Sequence, residues 1–283
     1  MTTAPQPRDR FVTARGARLH YVDWGPAPIP GGGRDVVLLH GLRDTARNWD
    51  PIAAALRGRY HVHALDSRGH GDSEWVPGRY QFQNYVGELG DFIEQLDLRD
   101  VFLVGHSAGG KYSFCYAADH PERVAGLVIV DMDPDAVNPG SGNMVACYRT
   151  ESDEYDDLAA VVERLRSRSP RATDGLLRHL AAVMTKPLPN GKLAWKRDRE
   201  VVLQYERPDA WGYLPRIAVH TLLLRGADSP LLRRDVAERM AKAIPYCALV
   251  EVPNAGHWAY DEAPVAFLQS LGVFLDGMSA RRG

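Results

Sequence analysis

Apolar residues gather in six short runs: Val36–Leu39, His61–Leu65, Val101–Val104, Leu127–Val130, Val219–Leu224 and Ala248–Val252. Such runs are too short for helices, and few of them alternate as a strand with one wet face would. They predict strands buried on both faces, as in a parallel sheet. Helical stretches are expected between them at about 48–57, 84–97, 108–119, 231–243 and 263–275. Strand–helix alternation implies right-handed βαβ units with helices on both faces of the sheet. Ahead of these units, Phe11–Thr13 and Arg18–Trp24, joined through Arg15-Gly16, predict an antiparallel hairpin. Residues 1–10 are expected to fray, and Pro26 to Gly33 to form a loop.

One interval breaks the rhythm. From Asp131 to Val219 there is no strand-like apolar run, but an acidic block from Glu151 to Asp157 and a basic block from Arg164 to Arg171. Residues 135–213 are therefore expected to be a mainly helical cap inserted into an α/β core made of 1–134 and 214–283. The charged blocks read as solvated helix faces. Aromatic residues and methionines of the insertion (Met144, Tyr148, Tyr155, Met184, Trp195, Tyr205, Trp211, Tyr213) are candidates for an apolar cavity or for packing onto the core.

Composition narrows the classes. The 283 residues carry 34 basic and 36 acidic side chains, a formal charge of −2, with 45% hydrophobic and 25% charged residues. These are globular values. The near-neutral balance lacks the electrostatic footprint of a nucleic-acid binder. The basic residues are 29 Arg to 5 Lys, which fits a GC-rich coding bias and a bacterial source better than a functional patch. Cys115, Cys147 and Cys247 are odd in number and far apart, so buried free thiols are expected and neither a disulfide framework nor a metal cluster. The N-terminal residues lack the apolar core of a signal peptide, and no run approaches the length that crosses a bilayer. The expectation is a soluble cytoplasmic protein, monomeric or a small homo-oligomer, with no nucleic-acid or membrane partner.

The chemistry is concentrated at Val101-Phe102-Leu103-Val104-Gly105-His106-Ser107-Ala108-Gly109-Gly110. A buried strand enters Gly-x-Ser-x-Gly and leaves as a helix, the setting of a nucleophile elbow. Small neighbours let the serine sit at a sharp turn, and the helix N-terminus behind it favours developing negative charge.

On these residues the chain resembles the α/β-hydrolase fold family over nearly its whole length, which implies a mostly parallel sheet with helices on both faces and a helical cap insertion. Val36-Val37-Leu38-Leu39-His40-Gly41-Leu42 is similar to the family's third strand and oxyanion loop. The resemblance implies backbone N–H groups of Leu42 and Ala108 as the oxyanion donors, each worth a few kcal/mol to an acyl-transfer barrier. Asp66 to Ser73 resembles the loop after the fourth strand, where His70 is assigned no chemistry. Val252-Pro253-Asn254-Ala255-Gly256-His257-Trp258 resembles the loop that carries the catalytic histidine, so His257 is implied as the base that Ser107 needs.

The acid has two candidates. The family's usual site corresponds to Gly226-Ala227-Asp228-Ser229, but Asp228 falls one residue early and Ser229 holds the usual place. Other members use an aspartate at the end of the sixth strand, and here Asp131 lies 131 − 107 = 24 residues beyond the serine. Asp131 is preferred and Asp228 stays open; Asp133 and Asp135 read as turn residues around Pro134. Dehalogenases and epoxide hydrolases of this fold use Asp at the elbow, so Ser107 argues against those activities. The resemblance implies a serine esterase or lactonase working through an acyl-enzyme on a small-molecule substrate, with no metal or organic cofactor. A C–C hydrolase of diketone-like compounds and a non-catalytic binding protein on the same fold are the alternatives. Arg43, Asp44, Arg47 and Trp49 follow the oxyanion loop; Arg43 and Trp258 are candidate substrate-binding residues, Arg43 for an anionic group.

Overall fold

The computed structural model describes residues 6–30, 33–138 and 144–280. An antiparallel hairpin, β1 (Arg8–Ala14) and β2 (Ala17–Asp23), comes first. The chain then alternates: β3 (Arg34–Leu39), α1 (Asp50–Leu56), β4 (Tyr60–Leu65), α2 (Phe82–Gln95), β5 (Val101–His106), α3 (Ala108–Asp119) and β6 (Val124–Val130). After β6 comes an insertion with α4 (Met144–Thr150), β7 (Glu154–Tyr155), α5 (Leu158–Arg168), α6 (Asp174–Met184), β8 (Thr185–Pro187), β9 (Leu193–Trp195) and α7 (Glu200–Leu203). The core resumes with β10 (Thr221–Gly226), α8 (Arg234–Ala243), β11 (Cys247–Val252), α9 (Ala259–Glu262) and α10 (Pro264–Ala280).

The main sheet has eight strands in the order β1-β2-β4-β3-β5-β6-β10-β11, parallel from β4 to β11. The short apolar runs explain themselves in this sheet. Along β3, Val36 and Leu38 join the core under α1 and α10, while Val37 and Leu39 join the core under α2 and α3. Phe102 and Val104 of β5 face the first core, Val101 and Leu103 the second. A strand with side chains on alternate faces and a hydrophobic layer on each must be apolar at every position.

The insertion carries a core of its own, with Val161, Leu165, Leu177, Leu180 and Trp195 buried together. It is not purely helical: β7, β9 and β8 form a small antiparallel sheet. Two or three residues per strand, Lys186 and Pro187 among them, leave no periodicity to read. Among the described residues no helix is long and apolar enough to cross a membrane. Of the three cysteines only Cys115 is buried; Cys147 is exposed and Cys247 half-buried, so the expectation of buried thiols holds for one of them.

Glu88 on α2 is buried against Arg68, which donates to its Oε1, while its Oε2 has no partner among the described residues. Burial pushes this carboxyl up from 4.5 to about 7, although Arg68 pulls the other way. The folded protein then keeps a proton that the unfolded chain has released. Stability contributed by protonated Glu88 is therefore present below 4.5 and lost as pH rises through about 7. Glu88→Gln is expected to flatten that part of the slope, as urea unfolding of both proteins at about pH 5 and pH 7 would measure.

Candidate active site

The parallel strands end together, and their carboxyl ends carry the loops of interest. β3 runs into His40-Gly41-Leu42, β5 into Ser107, β6 into Asp131, β10 into Ala227-Asp228 and β11 into the loop holding His257. Ligands of open α/β sheets lie outside this edge.

Ser107 stands between β5 and α3 at φ 52°, ψ −125°, a conformation costly for a residue with a side chain. Packing holds it there. A Cβ on Gly105 would lie 2.4 Å from Gly109 O, and one on Gly109 would lie 2.6 Å from His40 O. The first turn of α3 is thus pressed against the ends of β5 and β3, and Ser107 is turned out of the sheet. Its N–H donates to Val130 O (2.9 Å), while Asp131 N–H donates to Leu224 O (2.8 Å), so neighbouring strands fix both residues.

Asp131 is fully buried, and its Oδ2 lies 2.7 Å from His257 Nδ1. The same oxygen accepts from Ser229 Oγ at 2.5 Å, and Oδ1 accepts from Gly226 N at 3.1 Å. A carboxylate can only accept, so the histidine proton in this contact sits on Nδ1 and Nε2 keeps a lone pair. Among the described residues Nε2 has no hydrogen-bond partner. Asp228 is placed elsewhere. Its backbone N–H donates to Ala255 O, and its half-exposed carboxylate pairs with Arg171 at 2.8 Å. The one-residue offset turns Asp228 away from His257 and leaves Ser229, at the usual position, donating to Asp131 instead.

Ser107, Asp131 and His257 line one cavity of about 630 Å³ together with Leu42, Arg43, Asp228 and Trp258. This is within the size range of small-molecule sites. Neither Leu42 N–H nor Ala108 N–H has a hydrogen-bond acceptor among the described residues. Two buried imidazoles brace the loop around Leu42. His40 accepts from Ser67 N (3.0 Å) at Nε2, so its Nδ1–H donates to Gly41 O at 2.7 Å. His70 lies 2.6 Å from Leu42 O and 3.0 Å from Arg68 O; burial, then nearby His40, pushes it down to about 3, so it is neutral with a single N–H to give. The sequence reading gave His70 no role, and its location next to Leu42 is one that only the fold supplies.

A second polar network lies behind His257. His106 packs against it with ring centroids 4.5 Å apart and bonds His257 O through Nε2 at 3.0 Å. Burial, then the neighbouring His257, holds His106 below its ordinary value. Its Nδ1 faces Tyr260 OH (3.2 Å) and Asp44 (3.5 Å). Asp44 also accepts from Trp258 Nε1 at 3.1 Å and from Arg168, the last residue of α5. Burial alone would raise the Asp44 carboxyl; Arg168 and His106 outweigh it and hold Asp44 well below the carboxylate range.

Several expectations are revised here. The basic block of the insertion is not merely a solvated face, since Arg164, Arg168 and Arg171 line the cavity. Of the insertion's eight aromatic and methionine candidates, Met144 and Tyr205 line this cavity. Arg47 pairs with Asp9 at 2.6 Å and Trp49 is buried against Tyr260, so neither lines it. Asp133 and Asp135 are turn residues with added duties: Asp133 binds Arg207 at 2.7 Å and Asp135 accepts from Trp211 Nε1 at 2.7 Å. Lys111, one turn past the elbow, donates to Pro134 O (3.2 Å), Asp135 O (3.1 Å) and Pro208 O (2.9 Å), where the chain leaves for the insertion and returns. Among the described residues two groups, Asp23/His61/His63 and His20/Asp66/Asp72, bring metal-ligand atoms within 4.8 Å of one another. None of their residues lines this cavity, and each group contains a His–Asp hydrogen bond.

A family model for the alpha/beta hydrolase fold matches residues 36–264. The chain belongs to the α/β-hydrolase fold family. Among α/β hydrolases it is 27% identical to an sn-1-specific diacylglycerol lipase of Mus musculus over 94% of this chain and 91% of the lipase. It is 25% identical to the 2-(acetamidomethylene)succinate hydrolase of Mesorhizobium japonicum, covering 95% and 96% of the two chains. The crystal structure of E-2-(acetamidomethylene)succinate hydrolase superposes with a TM-score of 0.87 at 24% identity, covering 95% of this chain and 99% of that one. The Ser107 cavity is lined both by loops of the sheet and by residues of the insertion after β6.

Proposed function

We propose that this α/β hydrolase is a serine hydrolase that cleaves a carboxylic ester or lactone through an acyl-enzyme. Ser107 Oγ attacks the carbonyl carbon, and His257 Nε2 takes its proton. Asp131, already accepting the Nδ1–H, stabilises the imidazolium that forms. Charge building on the carbonyl oxygen meets the Leu42 and Ala108 N–H groups at the mouth of α3. The imidazolium then protonates the leaving alkoxide. Water, deprotonated by His257, attacks the acyl carbon and releases the acid with Ser107 restored.

The observation that carries this reading is the 2.7 Å Asp131–His257 contact on the wall of the cavity that Ser107 also faces. Such a pair activates an otherwise weak nucleophile. Relatives that include a lipase and a succinate-derivative hydrolase fit the same carbonyl chemistry.

A serine-directed fluorophosphonate tests it. Intact mass should show one adduct on the wild type and none on Ser107→Ala, and p-nitrophenyl acyl esters should be turned over by the labelled species' parent alone. A folded wild type that takes no label would place the chain among binding proteins of this fold. Turnover of a vinylogous diketone but of no ester or lactone would move it to C–C hydrolysis.

A further inference from the structure

Among the described residues five arginines line the cavity, and four are paired with acids. Arg168 donates to Asp44, Arg164 to Glu151 at 2.7 Å and Arg207 to Asp133 at 2.7 Å; Arg171 pairs with Asp228 at 2.8 Å. Arg43 differs. Its guanidinium makes no hydrogen bond among the described residues. The nearest carboxylate oxygen, Glu151 Oε2 at 3.8 Å, is the one that already accepts from Arg164. The side chain is 23% exposed, and what it faces is the cavity.

Partial burial of a guanidinium is unfavourable, and here like charge adds to the cost. Burial, then the guanidinium groups of Arg197, Arg164 and Arg168, pushes Arg43 down to about 10, which still leaves it cationic at neutral pH. The backbone is fixed as well, because Arg197 donates to Arg43 O at 3.0 Å. A held, under-satisfied cation on a cavity wall is suited to an anion from solution, and the guanidinium fork matches a carboxylate two bonds at a time. One cation that only shares Glu151 with Arg164 matches a single negative charge better than a phosphate dianion. Arg43 directly follows Leu42, so the same short loop would fix the anion and the scissile carbonyl.

We propose that Arg43 is a carboxylate-binding residue and that the substrates are anionic, such as half-esters or lactone-derived acids of short dicarboxylic acids, in preference to neutral esters. The substrate part of this statement rests on the serine-hydrolase reading above; the anion site does not.

The test compares mono-p-nitrophenyl glutarate with p-nitrophenyl pentanoate, which differ by a terminal carboxylate, and titrates glutarate by calorimetry. A charge-assisted hydrogen bond corresponds to roughly a 10- to 150-fold preference in kcat/KM for the acidic ester. That ratio should be highest in the wild type, lower in Arg43→Lys, which keeps the charge but loses the fork, and near one in Arg43→Gln. Using a ratio cancels any general loss of activity. Should Arg43→Gln fail to fold, a drop of about threefold or more in Arg43→Lys supports the proposal by itself, and an unchanged ratio refutes it. Glutarate should bind the wild type and not Arg43→Gln. The proposal is overturned if the wild type shows no preference and no glutarate binding, or if the variants keep the wild-type ratio. Arg43-dependent glutarate binding with no ester turnover and no serine labelling would leave the anion site standing and remove the hydrolytic reading.

Discussion

Asp131→Asn is expected to lower turnover by about a thousand- to ten-thousandfold, the loss seen when a triad carboxylate becomes an amide. Asp228→Asn should cost no more than a few-fold. The difference follows from what each oxygen touches. Asp131 Oδ2 receives His257 Nδ1 at 2.7 Å and Ser229 Oγ at 2.5 Å while Oδ1 receives Gly226 N–H at 3.1 Å, so an amide there must either present N–H to the imidazole or set its NH2 against the Gly226 N–H. An N–H facing Nδ1 forces the ring proton onto Nε2, where it blocks acceptance of the Ser107 proton. Asp228 pairs with Arg171, both side chains about half exposed, and such solvated pairs are worth little. Steady-state kinetics on one activated ester decides the matter. Equal losses in the two variants, or a larger loss in Asp228→Asn, would remove Asp131 from the role assigned to it. Ser229→Ala should fall between them, since it strips one donor from the carboxylate and leaves the imidazole contact in place.

The second large effect concerns stability. Arg168 and Asp44 are 8% and 1% exposed, and Arg168 also faces Asp261 at 3.5 Å and the Trp258 ring at 4.6 Å. Burial pushes Asp261 up to about 7 against the pull of Arg168, so Asp44 is the principal counter-charge. Arg168→Met leaves Asp44 ionised in a dry site, and breaking one side of a buried pair costs about 3–5 kcal/mol. Urea unfolding of Arg168→Met should show that loss, and the double variant Asp44→Leu/Arg168→Met should recover much of it, because two apolar side chains bury no charge. A single variant within about 1 kcal/mol of the wild type would mean that water reaches the pair.

These pairings were beyond the sequence. Arg168 and Asp44 are 124 residues apart, and a basic stretch on an amphipathic helix has the same composition whether it faces solvent or a cavity. Only the seating of α5 over the loop after β3 decides which. What could be read came from positions where one constraint dominates. Strands β3, β5, β6 and β10 were legible because two hydrophobic layers leave few positions for a polar residue, and the elbow because its turn requires small residues at Gly105 and Gly109. The misplacement of Asp228 by one residue was visible as a spacing, whereas the donation from Ser229 to Asp131 needed coordinates. β7, β8 and β9 are too short for a period to exist. His70, His106 and Asp44 are single polar residues in ordinary motifs, and their importance arises from what folds against them.

Lys111 gathers three carbonyls, and all three belong to residues outside 136–207: Pro134 and Asp135 on one side, Pro208 on the other. The whole segment between them could therefore be exchanged for a relative's without touching the ammonium's acceptors. A chimera joined at those two points should keep its root geometry while acquiring a new ceiling over Ser107, which makes the junction a natural seam for transplanting selectivity from one member of the family to another.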